Sequence, residues 1–362
     1  MGCRCPATQQ SKQHAHGIGI IFEDQYSSET RKGYLSIVSN DACSDVWPSG
    51  HSRKLIAIVG PTAVGKSALA MAIAEKLPAE IVSADSRQVY RGLDIGTAKP
   101  SVDEQRRVPH HVIDVVDPED DFSVAEFQDR AYLAIDDILH RGRIPLLVGG
   151  TGLYIRAIVD GIRLPRVAPD PVLRAALEAD AARHGAAWLH QRLAEADPVA
   201  AARIDPRNVR RVIRALEVIR KSGELFSDGT RPQPRYDVLT IGVTTDRNTL
   251  YQRIDKRVHL QIAEGLVEET THVLARGCPP NRPALGGLGY REIVAYLQGQ
   301  VDLATAVAQI KFATHRFARQ QATWFRRDDP RIHWLMTGAE APQKAVDLVQ
   351  RQTTSHTDHV CP

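Results

Sequence analysis

Leu55-Ile56-Ala57-Ile58-Val59-Gly60-Pro61-Thr62-Ala63-Val64-Gly65-Lys66-Ser67 is the stretch that decides the fold. Its second half, from Gly60, fits the pattern G-x-x-x-x-G-K-[ST] at every position. Its first half is an apolar run that reads as a buried strand, and 67–77 reads as a helix. Strand, glycine-bounded loop and helix in that order make a phosphate cradle. The glycines let backbone N–H groups curl around phosphate oxygens, and the helix N-terminus adds partial positive charge. Lys66 supplies a mobile cation, and Ser67 offers a hydroxyl to Mg²⁺. The loop predicts a di- or triphosphate ligand without saying which molecule carries it.

Outward from this segment the alternation continues. Apolar runs recur at 81–83, 112–116, 144–148 and later 238–243, with helical patterns such as 122–140 between them. Such alternation predicts an α/β fold, a parallel sheet joined by right-handed crossovers and flanked by helices. Residues 54–165 and 236–337 read as two parts of this core. Between them, 166–235 has no strand signal and turns to Ala, Arg, Leu and His at helical spacing, with Ala175-Ala176-Leu177 and Ala200-Ala201-Ala202 as strong helix formers. It reads as a helical insertion, closed by a Gly, Pro and Arg rich loop at 228–236. Helix resumes over 248–276 and 303–326. Residues 1–53 are polar and read as a disordered extension, and 338–362 as a flexible tail.

Composition narrows the class. Of 362 residues, 43% are apolar and 25% charged, the balance of a globular chain. The net charge of +3 is only mildly basic, so any nucleic-acid face must come from local clustering. Cys3, Cys5, Cys43, Cys278 and Cys361 are few, odd in number and mostly near the ends, which predicts a reducing compartment without a disulfide framework. Cys3 and Cys5 lack a second pair at zinc spacing. No apolar run is long enough for a bilayer. The expected location is the cytoplasm, with no membrane partner.

Several groups carry candidate chemistry. Asp85, in Ser83-Ala84-Asp85-Ser86-Arg87-Gln88, follows the second strand and so lies at the sheet edge that holds the phosphate loop. A carboxylate there takes a proton from a substrate amine or hydroxyl, binds Mg²⁺ through water, or caps a helix. The fourth strand ends in Gly149-Gly150-Thr151-Gly152, small residues that permit close backbone approach, where an ATPase motor would carry carboxylates. Arg207, Arg210, Arg211 and Arg214 recur at helical spacing, as either a phosphate-binding face or a solvated one. Arg253 and Arg257 lie one turn apart, spaced to reach a pyrophosphate or to salt-bridge at the surface. Lys311, His315 and Arg319 form another basic face, joined by Trp324, which suits RNA contact or, for the tryptophan, the core.

Taken together with Val89-Tyr90, Asp94-Ile95-Gly96-Thr97-Ala98-Lys99-Pro100, Leu153-Tyr154, Arg214-Ala215-Leu216-Glu217-Val218, Gly289-Tyr290-Arg291 and Gln321-Ala322-Thr323-Trp324-Phe325-Arg326, these blocks resemble the tRNA dimethylallyltransferase family, also called tRNA isopentenyltransferases, in its bacterial form. The resemblance runs from about Lys54 to Trp334, so 1–53 is outside it. It implies a P-loop NTPase-like core with a helical insertion that grips a tRNA anticodon stem-loop. It implies transfer of a dimethylallyl group from dimethylallyl diphosphate to N6 of adenine 37, beside the anticodon.

By the same resemblance, Gly60, Pro61, Thr62, Ala63, Val64, Gly65, Lys66 and Ser67 hold the donor diphosphate, with Mg²⁺ on Ser67. Asp85 is the expected general base, while Lys66 and Arg253 neutralise the leaving group. Asp85, Ser86, Arg87 and Gln88 border the target base. Thr151, Arg174, Arg210, Arg211, Val212, Ile213, Arg214, Gly289, Tyr290, Arg291, Lys311 and Arg319 are expected at tRNA. A monomer suffices for this chemistry. The rivals are a small-molecule kinase that uses the loop for ATP and a non-catalytic, nucleotide-gated RNA-binding protein; only the first would consume ATP, and neither would transfer an allyl group.

Overall fold

The computed structural model describes residues 53–354 apart from 231. Six strands, β1 (Lys54–Val59), β2 (Ala79–Ser83), β3 (His110–His111), β4 (Ile144–Val148), β5 (Asp237–Thr244) and β6 (Ile332–Met336), form one sheet in the order β3-β2-β4-β1-β5-β6. Every strand pair is parallel. All six residues of β1 are buried, as a central parallel strand covered on both faces requires. Helix α1 (Lys66–Ala74) leaves the phosphate loop and packs Leu69, Ala70 and Ile73 into the core with Ile56, Ile58, Leu146 and Ile241. Because Ile58 pairs with Val148 and Ser83 also pairs with Val148, the carboxyl ends of β1, β4 and β2 lie side by side. Neighbouring strands stand about 4.8 Å apart, so the loops after them share one small area.

Short helices and caps order the rest of that edge. After α2 (Val102–Arg107), helix α3 (Val124–His140) begins with a capping box between Ser123 and Glu126, and α4 (Gly152–Val159) starts directly after the Gly149–Thr151 loop. The insertion holds α5 (Pro171–His184), α6 (Ala186–Ala196), α7 (Pro198–Arg203) and α8 (Val209–Ser222). These four helices have their own apolar core, which includes Leu189, Leu193, Ile204, Val212, Ile213 and Ala215. An antiparallel bridge between Ile162 and Pro232 joins the chain where it enters and leaves this part. Then come α9 (Arg247–Ala263), α10 (Leu266–Ala275), α11 (Tyr290–Leu297), α12 (Leu303–Gln321) and α13 (Ala341–Thr354).

Four sequence expectations change. The third strand is His110–His111, not 112–116: Val112 at φ 61° and Asp114 at φ 53° adopt the left-handed conformation, which interrupts pairing just after two residues. The helix expected over 248–276 breaks into α9 and α10 at Gly265, whose φ of 105° cannot continue a right-handed helix. Strand β6 is an addition to the expected elements; it pairs only with β5, and as an edge strand it leaves His333 and Met336 exposed. The tail is not flexible over 341–354. Ala341, Ala345, Val346 and Val349 recur along α13 as an apolar stripe, and the last three join the main core beside α1. The readings of 1–52 and 355–362, which include four of the five cysteines, fall outside the described residues. Cys278 has a buried, free thiol.

Candidate active site

The phosphate loop takes its shape from backbone constraints. Gly60 has φ 144°, and a Cβ there would lie 2.5 Å from the Val243 carbonyl oxygen on β5, so no other residue fits. Gly65, at φ 106°, turns the chain into α1. Lys66 donates from Nζ to the Pro61 carbonyl at 2.8 Å, folding its ammonium back across the loop. Arg253, from α9, donates to the Val64 carbonyl at 3.2 Å. The loop thus collects a lysine, an arginine and a run of N–H groups, a setting for a multiply charged anion.

Asp85 stands across from it. No helix follows Asp85; the next residues form turns, so the helix-cap alternative does not hold. One carboxylate oxygen accepts the Arg87 N–H at 2.8 Å, which fixes the side chain. Burial lowers Lys66 to about 8, with Asp85 opposing the shift and Arg257 adding to it. Burial also lowers Arg257, again against the pull of Asp85. Asp85 therefore acts electrostatically on both cations. Arg257, one turn beyond Arg253, donates to the Thr97 carbonyl at 3.3 Å. The two arginines thus reach different loops, Arg253 the phosphate loop and Arg257 the 94–98 loop.

The neighbours of Asp85 are tied to surrounding loops. The Ser86 N–H donates to the Thr151 hydroxyl at 3.2 Å. Arg87 donates to the Pro283 carbonyl. Gln88 accepts from Ser83 at 2.8 Å and donates to the Ala98 carbonyl at 3.2 Å. The loop 94–98 is itself clamped: Glu269 accepts the N–H groups of Asp94, Ile95 and Gly96, and Gln261 donates to the carbonyls of Ile95 and Gly96.

The basic candidates divide sharply. Arg174 and Arg214 both bind Glu217, whose side chain is 0% exposed, and Arg214 also donates to the Val167 carbonyl. Burial by itself would raise the Glu217 carboxyl, but the bonds from Arg174, the Asp170 N–H and Arg214 outweigh it and hold the group at about 2. Arg210 and Arg211 are exposed. Val212 and Ile213, expected at tRNA, are core residues of the insertion, with their side chains turned from the surface. Tyr290, also expected there, is buried and donates its hydroxyl to Glu269 at 2.6 Å; Gly289 beside it caps α11 at φ 92°. Arg291 is exposed and pairs with Glu292. Lys311 contacts His259 at 2.8 Å and Arg319 donates to Tyr251 at 2.8 Å, so both sit on the seam of α9 and α12.

The donor set fits Mg²⁺. Ser67 presents an exposed hydroxyl in the first turn of α1, and Asp85 is the nearby carboxylate. Mg²⁺ commonly binds through one or two protein groups plus substrate phosphates.

Comparison with known proteins now decides the family. A model for IPP transferase matches residues 88–328, and one for isopentenyl transferase matches 53–114. The chain belongs to the tRNA dimethylallyltransferase family. It is 52% identical over 301 residues to the tRNA dimethylallyltransferase of Roseiflexus sp. strain RS-1, covering 83% of this chain and 96% of that protein. The Chloroflexus aurantiacus tRNA dimethylallyltransferase is 56% identical over 276 residues, covering 76% and 93%. The crystal structure of the tRNA isopentenylpyrophosphate transferase of Bacillus halodurans superposes with a TM-score of 0.62 at 41% identity, over 83% of this chain and 96% of that one. A eukaryotic dimethylallyltransferase acting on tRNA gives 0.72 at 26% identity, over 83% and 80%. The family is one of prenyltransferases, and its fold is the P-loop-type sheet seen here.

The one-turn interval from Arg253 marked Arg257 in the sequence. Glu269 and Gln321 were not marked by spacing; they act through backbone groups of distant loops, and no local pattern reports that. No helix among the described residues is long and apolar enough to cross a membrane.

Proposed function

We propose that this chain transfers the dimethylallyl group of dimethylallyl diphosphate to N6 of adenine 37 in tRNA, giving N6-isopentenyladenosine and pyrophosphate. The observation that carries the reading is the placement of Asp85, just after β2, at the same carboxyl edge of the sheet as the phosphate loop after β1, to which Lys66 and Arg253 are hydrogen-bonded. The diphosphate lies in the loop 60–67 against the Lys66 ammonium and the Arg253 guanidinium. An adenine amine is a weak nucleophile because its lone pair is shared with the ring, so the leaving group must be neutralised and the atoms held close. The N6–C1 bond forms as the C1–O bond breaks; the electron pair of that bond leaves with pyrophosphate, and the N6 proton passes to Asp85. Ser67, with Asp85 through water, would hold Mg²⁺, which when bound supplies further positive charge to the diphosphate. The adenine leaves its stack to reach the site, and Arg87, Gln88 and Thr151 border the space it enters. Arg210 and Arg211 on the insertion, with Lys311 and Arg319 on the α9–α12 seam, hold the anticodon stem-loop through phosphates. Donor and acceptor meet on one copy of the chain.

The test is mass spectrometry of nucleosides from unmodified tRNA incubated with the protein, Mg²⁺ and dimethylallyl diphosphate. The expected product is adenosine carrying one prenyl unit, formed without ATP. Unmodified adenosine in this incubation, with ATP hydrolysed in a parallel one that contains it, would overturn the reading.

A further inference from the structure

We propose that Gln321 is a positioning residue for the diphosphate: its buried amide sets the phosphate loop against the loop that follows β4. The inference rests on the function above only in taking the loop 60–67 as the diphosphate cradle. Gln321 is the last residue of α12 and is 4% exposed. Its Oε1 accepts the Thr62 N–H at 2.8 Å, and its Nε2 donates to the Gly150 carbonyl at 2.8 Å. The two loops follow neighbouring strands, since β1 pairs with β4, and this one side chain ties them together.

The bond polarities are opposite, and a primary amide offers an acceptor and a donor side by side on one flat group. Glutamate keeps the acceptor and loses the donor; methionine has the length and neither strong group. Space for the amide is kept by glycine, because a Cβ on Gly150 would overlap Nε2. The same turn places Trp324 where a Cβ on Gly152 would overlap its ring. The end of α12 thus dictates two of the small residues after β4. It also decides which donors face the anion. The Thr62 N–H is committed to Gln321, so the N–H groups from Ala63 to Ser67 and the Lys66 ammonium remain for the diphosphate. Loss of the amide releases the Thr62 N–H, leaves the Gly150 carbonyl unpaired and loosens the loop under the donor, while Arg210 and Arg211 on the insertion are untouched.

Binding of dimethylallyl diphosphate is measured by calorimetry for the wild type, Gln321→Met, Gln321→Glu, Gly150→Ala and the Gln321→Met/Gly150→Ala double variant. The Michaelis constants for donor and for tRNA are measured in parallel. Each single variant is expected to raise both Kd and KM for the donor about tenfold, with KM for tRNA within about twofold of wild type, as loss of a buried hydrogen-bond partner predicts. Gln321→Glu should be the weakest binder, since it adds negative charge beside the diphosphate. The double variant should be no worse than either of its components, because Gly150→Ala acts by displacing the same amide. Wild-type donor affinity in any Gln321 variant with a native melting curve would overturn the proposal, as would strictly additive effects in the double variant. A purely structural role would lower melting temperature and spare the donor constants. A wild-type chain that binds donor but prenylates no tRNA would sink the function proposed above and leave this inference to be judged by donor Kd alone.

Discussion

At the carboxyl edge of the sheet, cations converge on a shared space: Lys66 and Arg257 feel Asp85, and Arg253 reaches into the phosphate loop. In the insertion, the arginines of one helix part company. Arg214 turns inward with Arg174 to close on Glu217, whereas Arg210 and Arg211 stay in solvent. Both regions are rich in basic residues at regular spacing, yet only the first concentrates charge on a site. The difference lies in what is buried. Backbone loops of fixed shape aim the sheet-edge cations, while in the insertion a single buried carboxylate consumes two arginines to join helix α5 to α8. Periodicity reports which helix face a residue occupies, and burial decides whether its charge is structural or free to meet a partner.

The largest expected effect falls at the sheet edge. Asp85→Asn keeps the shape of the side chain and removes the base, so single-turnover prenylation should slow by about 10²- to 10⁴-fold while tRNA Kd stays at its wild-type value. A rate near wild type would erase the contrast, since the converging charges would then serve no reacting group.

The second effect is one of stability and belongs to the insertion. Glu217→Ala leaves Arg174 and Arg214 without their carboxylate and should cost about 3 kcal/mol in chemical denaturation; both guanidiniums keep partial access to water, which limits the loss to the low end for a broken buried pair. Glu217 also sets a pH window. Its carboxyl is held near 2, below the usual 4.5, so its contribution is complete above 4.5 and is lost as pH falls through 2. Glu80 in the sheet behaves alike: burial pushes it up, but bonds from Arg141 and His111 outweigh that and hold it at about 2. Acid unfolding followed by circular dichroism should show the Glu217→Gln chain losing its steepest acid-dependent step in the insertion.

A third test uses Lys66. Burial lowers it to about 8, so in the free protein it gives up its proton as pH rises past that value, whereas a bound diphosphate keeps it charged. Donor binding should take up protons above pH 8 and weaken as pH rises further, measured by calorimetry in buffers of different ionisation enthalpy. Lys66→Met should abolish the uptake. The smallest effect is expected at Arg210 and Arg211. Replacing either with Ala should weaken tRNA binding a few-fold and reduce the slope of log K against log salt by about 0.7 to 0.9, the contribution of one phosphate contact. The Arg174→Ala variant should change that slope little, and a slope change equal to that of Arg211→Ala would dissolve the distinction between anchored and free arginines.

Much of this was legible in the sequence where local chemistry fixes the backbone. Gly60 to Ser67 required its loop, and the apolar runs at 55–59, 144–148 and 238–243 became buried parallel strands. The residues whose placement the sequence did not report were those whose fate depends on distant contacts. Val212 and Ile213 lie between arginines in sequence but face the insertion core. Tyr290, in a glycine-rich turn, is held inside by Glu269. The run 112–116 is as apolar as a strand, but the ammonium of Lys99 pairs with Asp114 at 2.5 Å, and the chain around it bends. Residues 341–354 looked polar because only one stripe of α13 is apolar, and that stripe meets the core.

The most direct test of the central claim is a crystal structure of the protein with dimethylallyl diphosphate. The account predicts both phosphates inside the loop 60–67, touching Lys66 and Arg253, with the first allylic carbon directed at the space beside the Asp85 carboxylate. Diphosphate bound elsewhere, or an allyl chain directed away from Asp85, would contradict it.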